Sequence, residues 1–305
     1  MTYLKIWQNI LWNKINLSII YAILLSVALF FLFGCLKEKE NPKPISLEKQ
    51  VVQENGEVQV IKTLIYDGKS RYQVGIELLT KGQVFKNFIV KNWTQIGVKA
   101  NAESVTIQDG LIDNIGHGTF TNQAGARLLK DNGKIIRVKI NNTGYDGLGI
   151  QGKNCIVDKC TLTKIATEGN TNGDGIMFMV GGTGSVYNTY VQLLSSIKHC
   201  IKGSADGRAT LYDAIGNTLI GGTSGIIASP LSVIKNNIIS NQQSNPETGI
   251  EGRGIVLTNF SGVCSGNVLS NCPIGILVSN SPNLDIEKLR RENTFINCGI
   301  DIKVK

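Results

Sequence analysis

The apolar residues of this chain are grouped in short runs, and a polar or Gly-containing turn precedes each run. From Gly149 onward, a Gly or similar residue followed by an aliphatic one opens such a run about every 25 residues. A repeat period between about 20 and 50 residues is typical of solenoids, and these units show strand-like rather than helical periodicity. The pattern therefore predicts an all-β, single-stranded parallel β-helix of about nine coils. The strand-opening residues that we assign are Gly97, Gly118, Gly149, Gly175, Cys200, Gly225, Gly254, Gly275 and Gly299.

A second kind of apolar run alternates with the first, as at 88–90 and 155–157. An Asn follows this second run at several places, shortly before the next turn. Asn tolerates left-handed backbone, and its side chain can bond the backbone of a neighbouring coil. We therefore predict a ladder of side chains formed by Asn217, Asn237, Asn267 and Asn293. The one segment with a helical pattern, 286–291, predicts a single short turn of helix.

The N-terminal part of the chain has a different composition. Residues 1–34 contain two Lys and no acid, are almost entirely apolar from Leu17 onward, and end directly before Cys35. This arrangement resembles a bacterial lipoprotein signal, in which the Cys after the lipobox carries the lipid and becomes the new N-terminus. The alternative is an uncleaved anchor, because the apolar run approaches the length that spans a bilayer. In both cases we expect a membrane-anchored protein of the cell envelope that faces the periplasm or the exterior.

The rest of the chain divides into three segments. Residues 35–50 are charged and contain two Pro, which predicts a tether. Residues 51–80 carry short β-rich runs and predict an N-terminal cap or first coil, and residues 81–305 form the β-helix. Polar insertions at 166–172 and 242–253, and an enlarged coil around 121–133, are expected on one side of the solenoid, which is often the binding side.

Composition restricts the ligands. The 34 Gly and 18 % charged residues suit a turn-rich β protein, and the net charge of +8 favours an anionic partner. The chain has no dense basic stripe with interleaved aromatic residues, so we expect no nucleic-acid partner. A second subunit is a possible cover for the C-terminal coil. Six Cys besides Cys35 show no metal-ligand spacing, so we expect no zinc site, and they are either small core residues or disulfides between coils: Cys155, Cys160, Cys200, Cys264, Cys272 and Cys298.

Two stretches, GYDGLGIQGKNCIVDKCTL from Gly144 and NGDGIMF from Asn172, resemble repeats of the pectate-lyase-like superfamily. The resemblance covers about Lys81 to the C-terminus and implies a right-handed parallel β-helix. The superfamily contains polysaccharide lyases, glycoside hydrolases, uronate epimerases and binding proteins without activity, so the resemblance implies no single reaction. Segments 172–175 and 116–118 are similar to short polygalacturonase motifs, but their order along the chain is reversed and the paired aspartates of the next coil are missing. We therefore expect no polygalacturonase mechanism.

Lyases and epimerases of uronates remove the proton at C5, which requires a base and positive charge or a metal near the carboxylate. If the phase of the repeat holds, His199 stacks beside Asp174, because each directly precedes its strand-opening residue. We assign Tyr145 as the proton donor, His199 or Lys198 as the base, and Asp146 and Asp174 as residues that orient the base or bind calcium. The residues that we expect to bind acidic groups of the substrate are Lys202, Arg208 and Arg253.

Each of these residues also has a purely structural interpretation. Asp146 and Asp174 both precede Gly, and Asp-Gly is an ordinary turn signal. His199 can satisfy a turn carbonyl, and the basic residues can form a solvated face. The sequence thus supports two hypotheses. The first is a cell-envelope lipoprotein whose β-helix binds an acidic polysaccharide and modifies it as a lyase or C5-epimerase. The second is a non-catalytic surface scaffold, adhesin or carbohydrate-binding protein.

Overall fold

The computed structural model describes residues 43–52, 58–118, 123–167, 173–194, 198–204 and 208–305. Within these ranges the chain is almost entirely β, with one short helix, α1 (Ile286–Arg291). The strands stack in parallel as a solenoid of about nine turns, so the predicted fold class is confirmed. The strands are, in chain order, β1 (Ile45–Val52), β2 (Val58–Asp67), β3 (Val74–Leu78), β4 (Val84–Trp93), β5 (Ile96–Ala100), β6 (Thr106–Ile115), β7 (Ala124–Leu128), β8 (Lys134–Ile136), β9 (Lys139–Thr143), β10 (Asp146–Ile150), β11 (Cys155–Asp158), β12 (Thr161–Ile165), β13 (Ile176–Phe178), β14 (Thr183–Tyr187), β15 (Tyr190–Leu193), β16 (His199–Lys202), β17 (Thr210–Ile215), β18 (Thr218–Ile220), β19 (Ser224–Ile227), β20 (Val233–Lys235), β21 (Ile238–Ser240), β22 (Arg253–Thr258), β23 (Val263–Ser265), β24 (Val268–Ser270), β25 (Ile274–Ser279), β26 (Thr294–Ile296) and β27 (Ile300–Val304).

Each coil contributes one strand to a ten-stranded sheet and the rest of its strands to a larger sheet. The ten-stranded sheet has the order β27-β25-β22-β19-β16-β13-β10-β7-β5-β3, so that neighbours in the sheet come from successive coils. In the larger sheet, the middle coils contribute two strands each, as β11 and β12 do. The sequence predicted the first of these two strands, as at β11, but not the other, as at β12.

In the ten-stranded sheet, the buried aliphatic side chains of successive coils stack on one another. Leu148 pairs with Ile176, and Ile176 pairs with Ile201, so each inward side chain lies on the equivalent one of the next coil. Burial of one such side chain stabilises the fold by about 1.5–3 kcal/mol. The members of this inner row are Ile76, Val98, Ala126, Leu148, Ile176, Ile201, Ile226, Ile255, Ile276 and Ile302.

A row of glycines precedes this inner row because the coils approach closely there. A Cβ on Gly147 would lie 2.6 Å from the carbonyl oxygen of Gly175 and 2.7 Å from Cδ2 of Leu162. Real Cβ atoms do not approach so closely, so the position requires Gly in most coils. The row consists of Gly75, Gly97, Gly125, Gly147, Gly175, Cys200, Gly225, Gly254, Gly275 and Asp301.

Three of the assigned residues differ in phase from this row, although β27 does begin directly after Gly299. Gly125, in β7, occupies the place assigned to Gly118, and this regular strand lies inside the predicted enlarged coil 121–133. The row contains Gly147 instead of Gly149, and Asp301 instead of Gly299. Two Gly-aliphatic steps follow each other at 147–150, and only contact with the next coil distinguishes them.

The predicted Asn ladder is confirmed. The Oδ1 atom of Asn237 accepts hydrogen bonds from the backbone N (3.0 Å) and Nδ2 (2.9 Å) of Asn217. Asn267 receives the same two bonds from Asn237, and Asn293 receives them from Asn267. These side chains are buried, so they satisfy backbone groups that water does not reach. The left-handed residue is the one before the ladder Asn, as at Asn236 (φ 55°).

The Cys residues of the solenoid are free thiols, and all but Cys298 are buried. The interpretation as small core residues is therefore confirmed. The helix prediction is confirmed as well, since α1 spans Ile286–Arg291 and Asp285 caps it by accepting a bond from the backbone N of Lys288 at 2.8 Å.

The beginning of the described chain differs from the predicted tether. Strand β1 starts at Ile45, inside the segment 35–50, and pairs with β2 in antiparallel register. Strands β2 and β3 lie within the segment 51–80. Cys35 and the predicted signal 1–34 lie outside the described residues. Within the described ranges, no helix is long and apolar enough to span a bilayer.

Candidate functional site

A row of polar residues crosses the ten-stranded sheet at the beginning of five successive strands. We call the row Asp146, Asp174, His199, Ser224 and Arg253 the polar ladder. His199 pairs in register with Ser224, and Ser224 pairs with Arg253. The backbone N of Asp174 donates to Oδ1 of Asp146 at 2.8 Å, and the backbone N of His199 donates to Oδ1 of Asp174 at 3.1 Å. Neighbouring strands lie about 4.8 Å apart, so the five side chains form one continuous row.

The side chains of this row lie on the outer side of the sheet, away from the main core. In the coils that follow the polar ladder, Ile274 occupies the equivalent position and packs with Val256 and Leu277 in a cluster separate from that core. The row three residues further along each strand therefore faces the same side as the polar ladder. Arg127 and Lys202 belong to that second row, as do Val256 and Leu277.

Lys202 and Arg127 supply positive charge to the two aspartates. The Nζ atom of Lys202 lies 3.2 Å from Oδ2 of Asp174, whose side chain is fully buried. Arg127 is buried, and its charge lowers the pKa of Asp146. Gly149 is next to Arg127 in the sheet and has no side chain, so the Arg127 side chain lies across it, with Cγ 3.4 Å from where a Cβ would be. We call the polar ladder together with Arg127 and Lys202 the charged cluster.

Asp146 exchanges its proton near neutral pH. The pKa of Asp146 is raised to about 7, first by burial and then by repulsion from Asp174. The hydrogen bond from the backbone of Asp174 and the charges of Arg127 and Lys202 act in the opposite direction. A carboxyl group with a pKa close to the ambient pH is suited to proton transfer.

His199 is neutral at pH 7. The pKa of His199 is lowered to about 4: burial is the largest cause, Asp174 acts against it, and the charges of Lys202, Arg253 and Lys198 act with it. The ring is partly exposed, but Nδ1 is buried and has no hydrogen-bond partner within the described ranges. His199 therefore presents an uncharged imidazole to the outer side of the sheet.

Three further atoms of the charged cluster are buried and lack a hydrogen-bond partner among the described residues. They are Nε of Arg127, Oγ of Ser224 and Nε of Arg253. Burial also lowers the pKa of both Arg side chains, which remain charged at pH 7. A buried polar group without a partner costs about 1–3 kcal/mol, so several such groups in one place indicate a site that binds a ligand.

The structure brings most of the predicted site residues together. His199 lies beside Asp174, as the phase of the repeat predicted, and the charges of Lys198, Lys202 and Arg253 act on it. Tyr145 directly precedes Asp146, and its carbonyl accepts a bond from the backbone N of Ala166 at 3.2 Å. Their catalytic and binding roles stay predictions.

Arg208 does not lie with the others. It is exposed in the turn that follows β16, at the opposite end of the strand from His199. Its carbonyl accepts a bond from the backbone N of Gly181 at 2.7 Å. Nearness in sequence to Lys202 suggested a shared site, but Arg208 lies beyond the end of β16, whose last residue is Lys202.

Sequence reasoning missed Ser224 and Arg127. Ser224 directly precedes Gly225 of the glycine row, just as His199 precedes Cys200, so the phase rule that placed His199 also identifies Ser224. Arg127 comes two residues after Gly125, and the wrong assignment of Gly118 concealed it.

Within the described part of the chain, no group of three or more His, Cys, Asp or Glu residues could hold a metal ion, and the role of calcium stays a prediction. The charged cluster is also not a deep cavity. A cavity of about 300 Å³ lies elsewhere, against α1, where Phe260, Leu284 and Leu289 line it. It contains no residue of the charged cluster, so we locate the candidate site by its chemistry and not by cavity size.

The sequence matches no protein-family model and no curated protein. Among solved structures, the alginate lyase from Paenibacillus sp. str. FPU-7 is similar, with a TM-score of 0.51, 11 % identity, and coverage of 79 % of this chain and 89 % of that chain. A tailspike of Acinetobacter phage vb_AbaP_AS12 aligns with a TM-score of 0.31, 14 % identity, and coverage of 80 % of this chain and 44 % of that chain. At such identities the likeness to the lyase shows a shared fold alone, and the tailspike alignment carries no argument.

Proposed function

We propose that this protein binds an acidic polysaccharide across the charged cluster and removes the C5 proton of a uronic acid, as a lyase or a C5-epimerase. The observation that carries this proposal is the position of a neutral imidazole, His199, between the Asp174–Lys202 ion pair and the Arg253 guanidinium. Loss of the C5 proton creates an enolate-like carboxylate, which nearby cations stabilise.

The geometry suggests a role for each residue. His199 is neutral and partly exposed, so it is the group that accepts the C5 proton. Lys202 is partly exposed and stabilises the developing negative charge, while Asp174 is fully buried and holds Lys202 and the backbone of His199 in place. Asp174 is thus a positioning residue. Tyr145 is the donor to the leaving oxygen in the lyase reaction, and the neighbouring Asp146 exchanges protons near neutral pH.

Two further observations support a polysaccharide as the ligand. The positive net charge of +8 favours an anionic polymer over a neutral one. A solved structure with a similar fold is an alginate lyase, and in this chain each coil adds one strand to a long parallel sheet.

The test uses the full-length chain in detergent with alginate, polygalacturonate and hyaluronate, each with and without calcium, in D₂O. Ultraviolet absorbance of unsaturated products identifies a lyase. Deuterium at C5 without a rise in absorbance identifies an epimerase. Either activity should fall at least tenfold in Lys202→Gln and His199→Gln, about 1.4 kcal/mol in activation free energy.

Lys99→Gln is the matched control for Lys202→Gln. Lys99 occupies the same outward position of the sheet in β5, and its Nζ lies 2.9 Å from Oε1 of Glu77. Its substitution should leave both activities unchanged. Reducing ends without absorbance would indicate hydrolysis, and the absence of any change in any polymer would contradict the proposed reaction.

One observation favours a second candidate, a carbohydrate-binding protein without activity. Asp146 is 6 % exposed, and both ladder aspartates accept bonds from backbone N atoms, as structural residues do. This candidate gains support if polymers bind with an affinity that falls at high salt while none of them reacts.

We also propose that the chain is a lipoprotein of the cell envelope, attached to the membrane through Cys35. The basic and apolar composition of residues 1–34, directly before this Cys, supports the proposal.

A further inference from the structure

We infer that Ser224 and Arg253 form a subsite, next to His199, that binds one carboxylate group of the ligand. The site is built on three successive strands, β16, β19 and β22, whose first residues are in register. The identification of the ligand as a uronate rests on the proposed function, whereas the anion-binding character of the site does not.

The first argument is that donor atoms are concentrated here without acceptors. Oγ of Ser224 and Nε of Arg253 are buried and have no hydrogen-bond partner within the described ranges. Ser224 is fully buried, so bulk water does not reach its hydroxyl. The backbone N of Arg253 bonds the carbonyl of Thr223 at 2.7 Å, which fixes the base of the Arg side chain beside Ser224. A carboxylate accepts several hydrogen bonds and can receive both a guanidinium and a hydroxyl.

The second argument is the balance of charge. The neighbouring acids already have cations, since Asp174 pairs with Lys202 and Glu251 pairs with Lys303. Arg253 makes no ion pair with any described residue, although Glu251 lies close enough to raise its pKa. An added anion would therefore meet an uncompensated guanidinium, and a cation would be repelled by it.

The third argument is the surface beside these residues. Three residues further along the same strands, the outward positions are Lys202, Ile227 and Val256. Ile227 and Val256 pack with Ile274 and Leu277 in the outer apolar cluster. The subsite thus has a polar edge beside the partly exposed Ile227, which suits a sugar acid that presents a carboxylate on one edge and C–H groups on one face.

The distances along the ladder place the subsite relative to the reaction. His199 and Arg253 are two strands apart, about 10 Å, so they reach different groups of a bound polymer. His199 can therefore act on one uronate while Arg253 holds the carboxylate of its neighbour. Ser224, between them, contributes a hydroxyl to the same carboxylate.

The experiment measures binding separately from turnover. The probe is a galacturonate trisaccharide, compared with maltotriose at equal ionic strength, and the readout is the titration of the His199 imidazole by nitrogen NMR. The chain contains only two His, so His117→Gln assigns both signals. A bound carboxylate beside His199 should raise its pKa measurably, whereas maltotriose should leave it unchanged.

Ser224→Ala and Arg253→Gln should each weaken binding of the trisaccharide about tenfold or more and abolish its effect on the His199 signal. Arg137→Gln is the control, because this Arg already pairs with Asp109 at 2.7 Å in the larger sheet. Arg253→Lys should restore part of the affinity, since it keeps the charge but loses the fork of donors. Thermal melts check that each variant is folded. If Arg253→Gln is not folded, binding by Ser224→Ala tests the subsite.

The outcomes separate the two proposals. If polymers react but both variants bind the trisaccharide with unchanged affinity, the subsite is wrong and the proposed function stands. If the trisaccharide binds through Ser224 and Arg253 but no polymer reacts, the subsite stands and the proposed reaction is wrong. If the trisaccharide fails to bind, or maltotriose binds equally well, the subsite is overturned.

Discussion

Asp174 joins two coils of the solenoid through its two carboxylate oxygens: Oδ1 accepts the backbone N of His199 and Oδ2 lies 3.2 Å from Nζ of Lys202. The aspartate side chain is fully buried, while that of Lys202 is 36 % exposed. Asp174 therefore depends on Lys202 more than Lys202 depends on Asp174, because only the Lys202 side chain can be solvated by water instead.

Lys202→Met leaves the buried Asp174 carboxylate without its cation. We expect a loss of about 1–3 kcal/mol in the free energy of unfolding, at the lower end because water reaches the site. Urea unfolding measures it, and a double-mutant cycle with Asp174→Asn should give a coupling above about 0.5 kcal/mol. The control Lys99→Met should change stability by less than about 0.5 kcal/mol, since Glu77 is itself exposed. Equal losses in the two variants would contradict the asymmetry described here.

Gly147→Ala and Gly149→Ala test the phase of the glycine row within one strand. The new Cβ at 147 would lie 2.6 Å from a backbone carbonyl oxygen, whereas at 149 the nearest atom is 3.4 Å away and belongs to the flexible Arg127 side chain. We expect the first variant to lose about 2 kcal/mol or more of stability and the second to change by less than about 1 kcal/mol. Thermal melts of both variants provide the comparison, and a larger loss at 149 would restore the phase suggested by the sequence.

Asn237→Ala interrupts the Asn ladder. It removes the acceptor of two bonds from Asn217 and the donors to Asn267 and to the carbonyl of Ala214. Because these groups are buried, we expect a loss of about 3 kcal/mol in unfolding free energy. Asn101→Ala, which removes one exposed bond to Glu77, should cost less than about 0.5 kcal/mol. Comparable melting temperatures for the two variants would show that the ladder contributes little.

The raised pKa of Asp146 predicts a dependence of stability on pH. Between the ordinary value of 3.8 and about 7, the folded state holds a proton that the unfolded state has lost, so the contribution of Asp146 to stability falls as pH rises through this window. The lowered pKa of His199 acts in the opposite direction between about 4 and 6.5, because there the unfolded state binds the extra proton. In the wild type, the contributions of Asp146 and His199 to the pH dependence of stability therefore partly cancel.

Asp146→Asn isolates the aspartate. The variant should gain stability over the wild type progressively from pH 4 to pH 7, by about 1 kcal/mol or more, and the gain should level off above pH 7. Urea unfolding at unit steps of pH measures the difference. A difference that does not vary with pH would mean that Asp146 titrates alike in the folded and unfolded states.

Cys35→Ser tests the proposed lipid anchor in the full-length chain. We expect the variant to incorporate no labelled palmitate in the cells, because the thiol that carries the lipid is gone. Cys298→Ser is the control, since this partly buried thiol lies in the last coil. Equal labelling of the wild type and Cys35→Ser would exclude lipidation at this residue.

The sequence predicts the fold well because the repeat is a one-dimensional property. Gly225, Gly254 and Gly275 recur at a visible period, and the Asn ladder recurs with them. Phase is harder to obtain: Gly147 and Gly149 look alike in sequence, and the difference lies in the carbonyl of Gly175, which is 28 residues away.

The candidate site could be predicted only in those coils whose glycine-row residue was assigned correctly. Asp174, His199 and Arg253 all precede residues assigned correctly, and they meet in the structure. Ser224 was overlooked because a Ser before Gly is also an ordinary turn signal. The burial that shifts the pKa of Asp146 is a property of the packed coils and has no counterpart in the local sequence.

The groups of the charged cluster follow one another at regular intervals along the sheet. From Arg127 in β7 to Arg253 in β22 there are five steps of about 4.8 Å, or about 24 Å along the sheet, and each of these six coils contributes a group to the charged cluster. From β7 to β22, the order of these groups is cation, acid, acid, imidazole, hydroxyl, cation. The order from β22 to β7 is different. A linear polymer laid along the sheet would therefore meet a different surface in each of its two orientations, so that the solenoid itself determines which end of the polymer points toward the last coil.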